Sequence, residues 1–184
     1  FNMTTRKTTS KTATSKNKPA TPDAIALLKA DHADVKTMYQ AYKKLVEAEA
    51  DGDERQALAM QICQALTVHT MVEEDIFYPA ARDALDDHNI MDHADVEHDC
   101  AKELIAQIEA MDPDDSHYDA KVCVLCEYVQ HHVDEEESEM FPKVRKGKLD
   151  LTALGEQMAL RKQELSAEDE DPVGAAEGGV ARAA

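Results

Sequence analysis

HTMVEEDIFYP, residues His69 to Pro79, returns 63 residues later as HVDEEESEMFP, residues His132 to Pro142. Both copies read His-x-x-x-Glu-Glu, then Phe77-Tyr78 or Met140-Phe141, then a proline at the eleventh position. The register persists upstream, where Cys63 and Cys126 each lie six residues before their His. A period of this length fits one helical hairpin, so the repeat predicts two hairpins related by a pseudo-twofold axis. Within each copy the His and the first Glu are four apart, ~40° around a helix, and both side chains can aim at one point.

Working outward, each hairpin needs a partner helix. The first is predicted to open at Thr21-Pro22, with Thr21 as N-cap and Pro22 at the first helical position. Ile25, Leu28, His32, Val35, Tyr39, Tyr42 and Val46 then follow at steps of three and four, one apolar stripe that includes a His. A second helix runs from about Asp53 to Arg82–Leu85, with a kink before Pro79. A third covers roughly Asn89–Met111, with His98 on the stripe of Met91, Ala94, Ala101, Ile105 and Ile108. Asp112-Pro113-Asp114-Asp115 is a turn; Ser116 is the expected cap of a fourth helix reaching Lys146, and Gly147 ends it. A short fifth helix, capped by Asp150, carries Leu151, Leu154, Met158 and Leu165. Short connections between long helices imply antiparallel neighbours. The reading is an all-α, antiparallel up-down four-helix bundle over 21–147, a short C-terminal helix over 148–165, and disordered tails over 1–20 and 166–184.

Composition agrees with this. Good helix formers dominate, aromatics are 4%, and Trp is absent. The net charge is −18, although residues 1–20 carry Arg6, Lys7, Lys11, Lys16 and Lys18 and no acid. So acidic a body repels nucleic acid and anionic membrane and attracts cations. No apolar run is long enough to span a bilayer, no secretory segment is visible, and four Cys do not make a disulfide framework. Met3 reads as the native start, and the expected location is the cytoplasm.

The chemistry lies in the histidines. His32, His69, His98 and His132 fall one to a helix on apolar stripes, and Glu73 and Glu136 share an offset from their own His. One His on such a stripe is usually a hydrogen-bonded core residue, but four, with two carboxylates in register, would be a costly accident in a core. Imidazole with carboxylate suits iron, manganese or zinc better than calcium. Two carboxylates from facing helices can each bridge two metals. Buried close together without metal, they are expected to raise the pKa of at least one of the pair. Either Glu136 or Glu137 could serve as the fourth helix's carboxylate.

The doubled H…HxxxEE…P pattern over about residues 22–146 resembles the hemerythrin family, in its bacterial HHE cation-binding branch. The resemblance implies a non-haem di-iron centre, two iron ions with an oxo or hydroxo bridge, that reacts with dioxygen, nitric oxide or hydrogen peroxide. A sensing or binding protein is one outcome; a catalase- or peroxidase-like enzyme of peroxide or nitric oxide, or an iron store, is the alternative. Carried over by position, His32, His69, Glu73, His98, His132 and Glu136 match the family's metal ligands. The oxygen carriers of the family place a further His four residues from the helix-three His; here those positions hold Ala94 and Lys102. Asp31-His32-Ala-Asp-Val recurs as Asp92-His93-Ala-Asp-Val, yet His93 lies ~140° off the stripe of His98.

The remaining candidates read as structural. Cys123-Val-Leu-Cys126 sits inside a helix, away from the terminus that would acidify a thiol, and ~120° or more from His132. Tyr39 and Tyr128 lie on the ligand stripes; packing is the first reading, and a hydrogen bond or phenolate contact at the site the second. His88, His117 and His131 are expected on the surface.

Overall fold

The computed structural model describes residues 22–85 and 89–170. The expected tails, apart from 166–170, and His88 lie outside these. Among the described residues there is no strand. The helices are α1 (Ala24–Glu47), α2 (Gly52–Val72), α3 (Tyr78–Ala84), α4 (Asn89–Glu109), α5 (Tyr118–Glu135), α6 (Phe141–Lys146) and α7 (Leu151–Glu170). Two π-helical turns, π1 (Glu73–Phe77) and π2 (Glu136–Met140), join α2 to α3 and α5 to α6. The bundle is thus α1, α2-π1-α3, α4 and α5-π2-α6. In it α1 packs on α2 and α5, and α4 packs on the same two.

The expected kink at Pro79 is a π turn instead. In a continuous α-helix the ring of Pro79 would press on the carbonyl of Asp75 and leave it without a donor. The Tyr78 N–H reaches back five residues to the Glu73 carbonyl, and Phe141 does the same to Glu136. The widened turn absorbs the proline and begins on the first Glu of each repeat, and such turns are frequent at functional sites.

Two caps differ from the sequence reading. Asp23, not Thr21, caps α1: its carboxylate accepts from the Ala26 N–H at 2.8 Å. Ser116 makes no cap for α5, which starts at Tyr118 after Asp115 accepts from the His117 N–H at 2.9 Å. Thr21 itself lies outside the described residues, and α5 begins after His117 without a side-chain cap. Asp150 does cap α7, accepting from Ala153 N–H at 3.1 Å, and the helix continues past Ser166 to Glu170. Ser166 folds its hydroxyl back onto the Lys162 carbonyl at 2.9 Å, an arrangement compatible with a continuing helix.

The core is in two parts. Ile25, Leu28, Val72, Phe77, Met91, Met140 and Phe141 fill one end. Tyr42, Ile62, Leu66, Ile105, Tyr118 and Leu125 fill the other. Helix α7 closes the first part through Leu154, Met158 and Leu165. Gly155 permits this close docking, because a Cβ there would stand 2.5 Å from the Pro22 carbonyl oxygen and 2.8 Å from the Ala24 nitrogen. Among the described residues no helix is long and apolar enough to cross a membrane.

Candidate metal centre

Among the described residues seven polar or charged side chains are buried, and six of them are His32, His69, Glu73, His98, His132 and Glu136. The structure brings all six together. The Nε2 atoms of His32 and His69 stand 3.2 Å apart, and those of His98 and His132 also 3.2 Å. Glu73 Oε2 lies 3.2 Å from His69 Nε2 and 3.4 Å from His98 Nε2, so one carboxylate faces both imidazole pairs. Glu136 Oε2 lies 3.3 Å from His32 Nε2 and 3.7 Å from His132 Nε2. Among the described residues two buried groups could each hold an ion, His32, His69, Glu73 and Glu136, and Glu73, His98 and His132; a third group, Glu97, His131 and Glu135, lies at the surface. Their ligand atoms all lie within 4.8 Å of one another in each group. His93, His117 and His131 are exposed.

An outer ring of carboxylates orients the imidazoles. His32 Nδ1 donates to Glu137 at 3.0 Å, His98 Nδ1 to Glu74 at 2.9 Å and His132 Nδ1 to Glu97 at 2.7 Å. His69 Nδ1 faces Asp31 at a longer 3.6 Å. With the proton held at Nδ1, the Nε2 lone pair points inward, the arrangement a metal-ligating His requires. Lysines back three of these acids: Lys29 on Glu137 and Lys102 on Glu74, each at 2.7 Å, and Lys162 of α7 on Asp31. The geometry thus separates the two acids of each Glu-Glu pair. Glu73 and Glu136 face the centre, whereas Glu74 and Glu137 cross to a His of the opposite hairpin.

The sequence reading missed Tyr78. Its hydroxyl donates to Glu136 Oε1 at 3.0 Å and lies 3.2 Å from His98 Nε2 and 3.4 Å from His132 Nε2. On a straight α-helix Tyr78 would sit ~140° from Glu73. The π turn rotates it under the carboxylate. Phe141, its counterpart in the second repeat, has no hydroxyl and stacks on His32 with ring centroids 5.9 Å apart. The two halves of the centre are therefore chemically unequal. Tyr39 and Tyr128, the tyrosines singled out from the stripes, instead line a cavity that opens beside the imidazoles, and Cys126 lines it too. Burial pushes the Cys126 thiol up to about 12, so it is held as a thiol.

At Glu73 the electrostatics run opposite to a burial-driven rise. Burial would raise the pKa of Glu73, but His69 and His98 outweigh it and hold this carboxyl well below its usual range. Burial would likewise lower that of His69, but Glu73, Asp31 and Glu136 raise it to about 10. His98 is raised for the same reason by Glu73 and Glu74, against burial. Repulsion between the carboxylates is met by charge on the imidazoles, because each Glu faces two rings. Even so, Glu73 Oε1, Glu136 Oε2 and His69 Nδ1 are buried and make no hydrogen bond. Buried carboxylate oxygens without donors are costly in a finished core and fit a cation.

Comparison with known proteins agrees with this geometry. The described crystal structure of a hemerythrin HHE cation-binding domain-containing protein from Mycobacterium kansasii superposes with a TM-score of 0.68 at 26% identity, covering 83% of this chain and 94% of that one. A DNA nickase from Nostoc sp. is 32% identical over 85 residues, which are 46% of this chain and 24% of the nickase. This chain thus spans about a quarter of that relative's length. The hemerythrin HHE cation-binding domain family matches residues 23–144. With the doubled His-x-x-x-Glu-Glu repeat and the four converging imidazoles, the chain belongs to the hemerythrin HHE cation-binding domain family.

Proposed function

We propose that the chain is a non-haem di-iron protein that reacts with dioxygen, nitric oxide or peroxide, with His32, His69, Glu73, His98, His132 and Glu136 as metal ligands. The observation that carries this reading is the sharing of Glu73 between two ligand groups, each with its own pair of imidazoles. Imidazole and carboxylate without thiolate fit iron. Two iron ions held there would supply redox chemistry and open coordination positions. The residues do the rest. The outer acids fix the rings, Tyr78 places a proton 3.0 Å from Glu136, and Phe77, Met140 and Phe141 keep water from one side. The matched part of the nickase is too small a share of that protein, and this chain too acidic, for action on DNA to be carried over.

Metal and protons compete for the same nitrogens. At neutral pH the His69 ring, with a pKa of about 10, holds a proton that a metal must displace. Metal loading is expected to release at least one proton per chain, and affinity to rise with pH until His69 has titrated. Calorimetry in buffers of different ionisation enthalpy reads the number directly. A binding enthalpy independent of the buffer would contradict the assignment of His69.

Sensing and turnover are separable on the iron-loaded protein. The reduced protein, titrated anaerobically with dioxygen, nitric oxide and hydrogen peroxide, is expected to change its optical spectrum and saturate in proportion to bound iron. Sustained peroxide loss far beyond that amount would mark an enzyme, a reading that the solvent-facing cavity favours. No optical change with any of the three would end the reading.

A further inference from the structure

A cavity of about 350 Å³ reaches from the surface between α1 and α5 to all four imidazoles. Glu73, Glu136 and Tyr78 do not line it; they stand on the closed side of the rings. Val35, Leu66, Ala101 and Val129 form apolar walls, and Tyr39 and Tyr128 stand along the way in. A space of this size that ends on a cluster of ring nitrogens and has mostly apolar walls is of the kind that holds small molecules. Dioxygen or peroxide would fill little of it, since a water takes ~30 Å³ of liquid and a void of ~150 Å³ already admits benzene.

We propose that this cavity binds an uncharged aromatic molecule of one or two rings, which enters between α1 and α5 and reaches the four imidazoles. The inference goes beyond the proposed reactions with small gases and peroxide, and rests on the metal reading only for what the ligand meets at the floor. The size fits such a molecule, and the apolar walls take its body. Tyr39 and Tyr128 add ring surface to the walls, and their hydroxyls, kept protonated chiefly by burial, are engaged with Cys123 and Cys100 outside the cavity. The mouth favours neither sign of charge: Lys29 is paired with Glu137, and Asp134 accepts from Gln130 at 2.9 Å, beside the exposed Lys36. An uncharged ligand loses least on entering such a site.

The probe is 2-naphthol, followed by its fluorescence with metal-free and with zinc-loaded protein. Saturable binding of one molecule per chain is expected in both forms. Val129→Trp, which fills the cavity from its wall, should lose that binding. Val124→Trp, at an exposed position of the same helix outside the cavity, should keep it. Val133→Trp is a second block should Val129→Trp lose its helical circular dichroism. No saturable binding up to the solubility limit would overturn the proposal, and so would undiminished binding by natively folded blocking variants. Metal content read on the same samples separates the two readings. Naphthol bound by a protein that takes up no iron upholds the cavity and ends the metal centre; iron bound without naphthol does the reverse.

Discussion

The metal-free protein is expected to melt roughly 10 °C below the iron-loaded form while keeping its helical circular dichroism. A ligand that binds only the native state adds ~4 kcal/mol when its free concentration is ~1,000 times the dissociation constant. At this chain length each kcal/mol moves the midpoint by ~2–4 °C. The helices survive without metal because two apolar clusters flank the centre, and because His69 and His98 can carry the charge that balances Glu73. That balance gives the gap a direction with pH. The folded pKa of His69 is raised above its unfolded value of 6.5, so its contribution to the metal-free fold is complete below 6.5 and lost as pH rises through about 10. Metal affinity increases over the same window. The depressed Glu73 contributes above its unfolded value of 4.5 and does not change there. The difference in melting temperature should therefore widen from pH 6.5 upward, and scanning calorimetry of the two forms at several pH values checks it. Equal midpoints would mean that no ion links the four helices.

Glu73→Gln is expected to empty the centre, with bound iron falling from about two ions per chain to well under one. The reason is its place in both ligand groups: Oε2 is 3.2 Å from the His69 ring and 3.4 Å from the His98 ring, on opposite hairpins. The amide keeps the volume but removes the negative charge and one ligand oxygen. Removing one imidazole, as in His98→Ala, should cost chiefly the ion of its own group, and His93→Ala should cost nothing, since His93 is exposed. Elemental analysis of the purified variants reads all three. Iron retained in Glu73→Gln at the wild-type level would remove Glu73 from the metal.

The convergence of the six residues was legible because they obey local rules. A His and a Glu four apart stay on one face whatever the rest of the chain does, and the apolar stripes around His32 and His98 choose those rings over His93. The Glu136 or Glu137 alternative was open for a physical reason. On an α-helix the two are adjacent and ~100° apart, and only the position of α1 decides that Glu137 reaches out to His32 and Lys29. Tyr78 was invisible for a different reason. Its direction depends on a π turn, and that turn forms because Pro79 forbids the regular ladder. From sequence the proline predicts a kink, and the rotation it causes needs the backbone hydrogen bonds to be seen. Lys162 and Lys102 join the site across long sequence separations, which periodicity does not encode, and the cavity is the residue of packing among helices rather than a property of any one. The helix starts show the same limit at short range: Asp23 caps α1, and α5 starts two residues after Ser116, where Asp115 has taken the His117 N–H in the turn.

The measurement that tests the central claim most directly is the iron content of the wild-type chain after loading under reducing, anaerobic conditions and removal of loose metal. Six inward ligands in two groups that share a carboxylate exceed what one ion needs, so the account predicts about two iron atoms per chain. A value near one, or a centre that takes zinc and refuses iron, would contradict it.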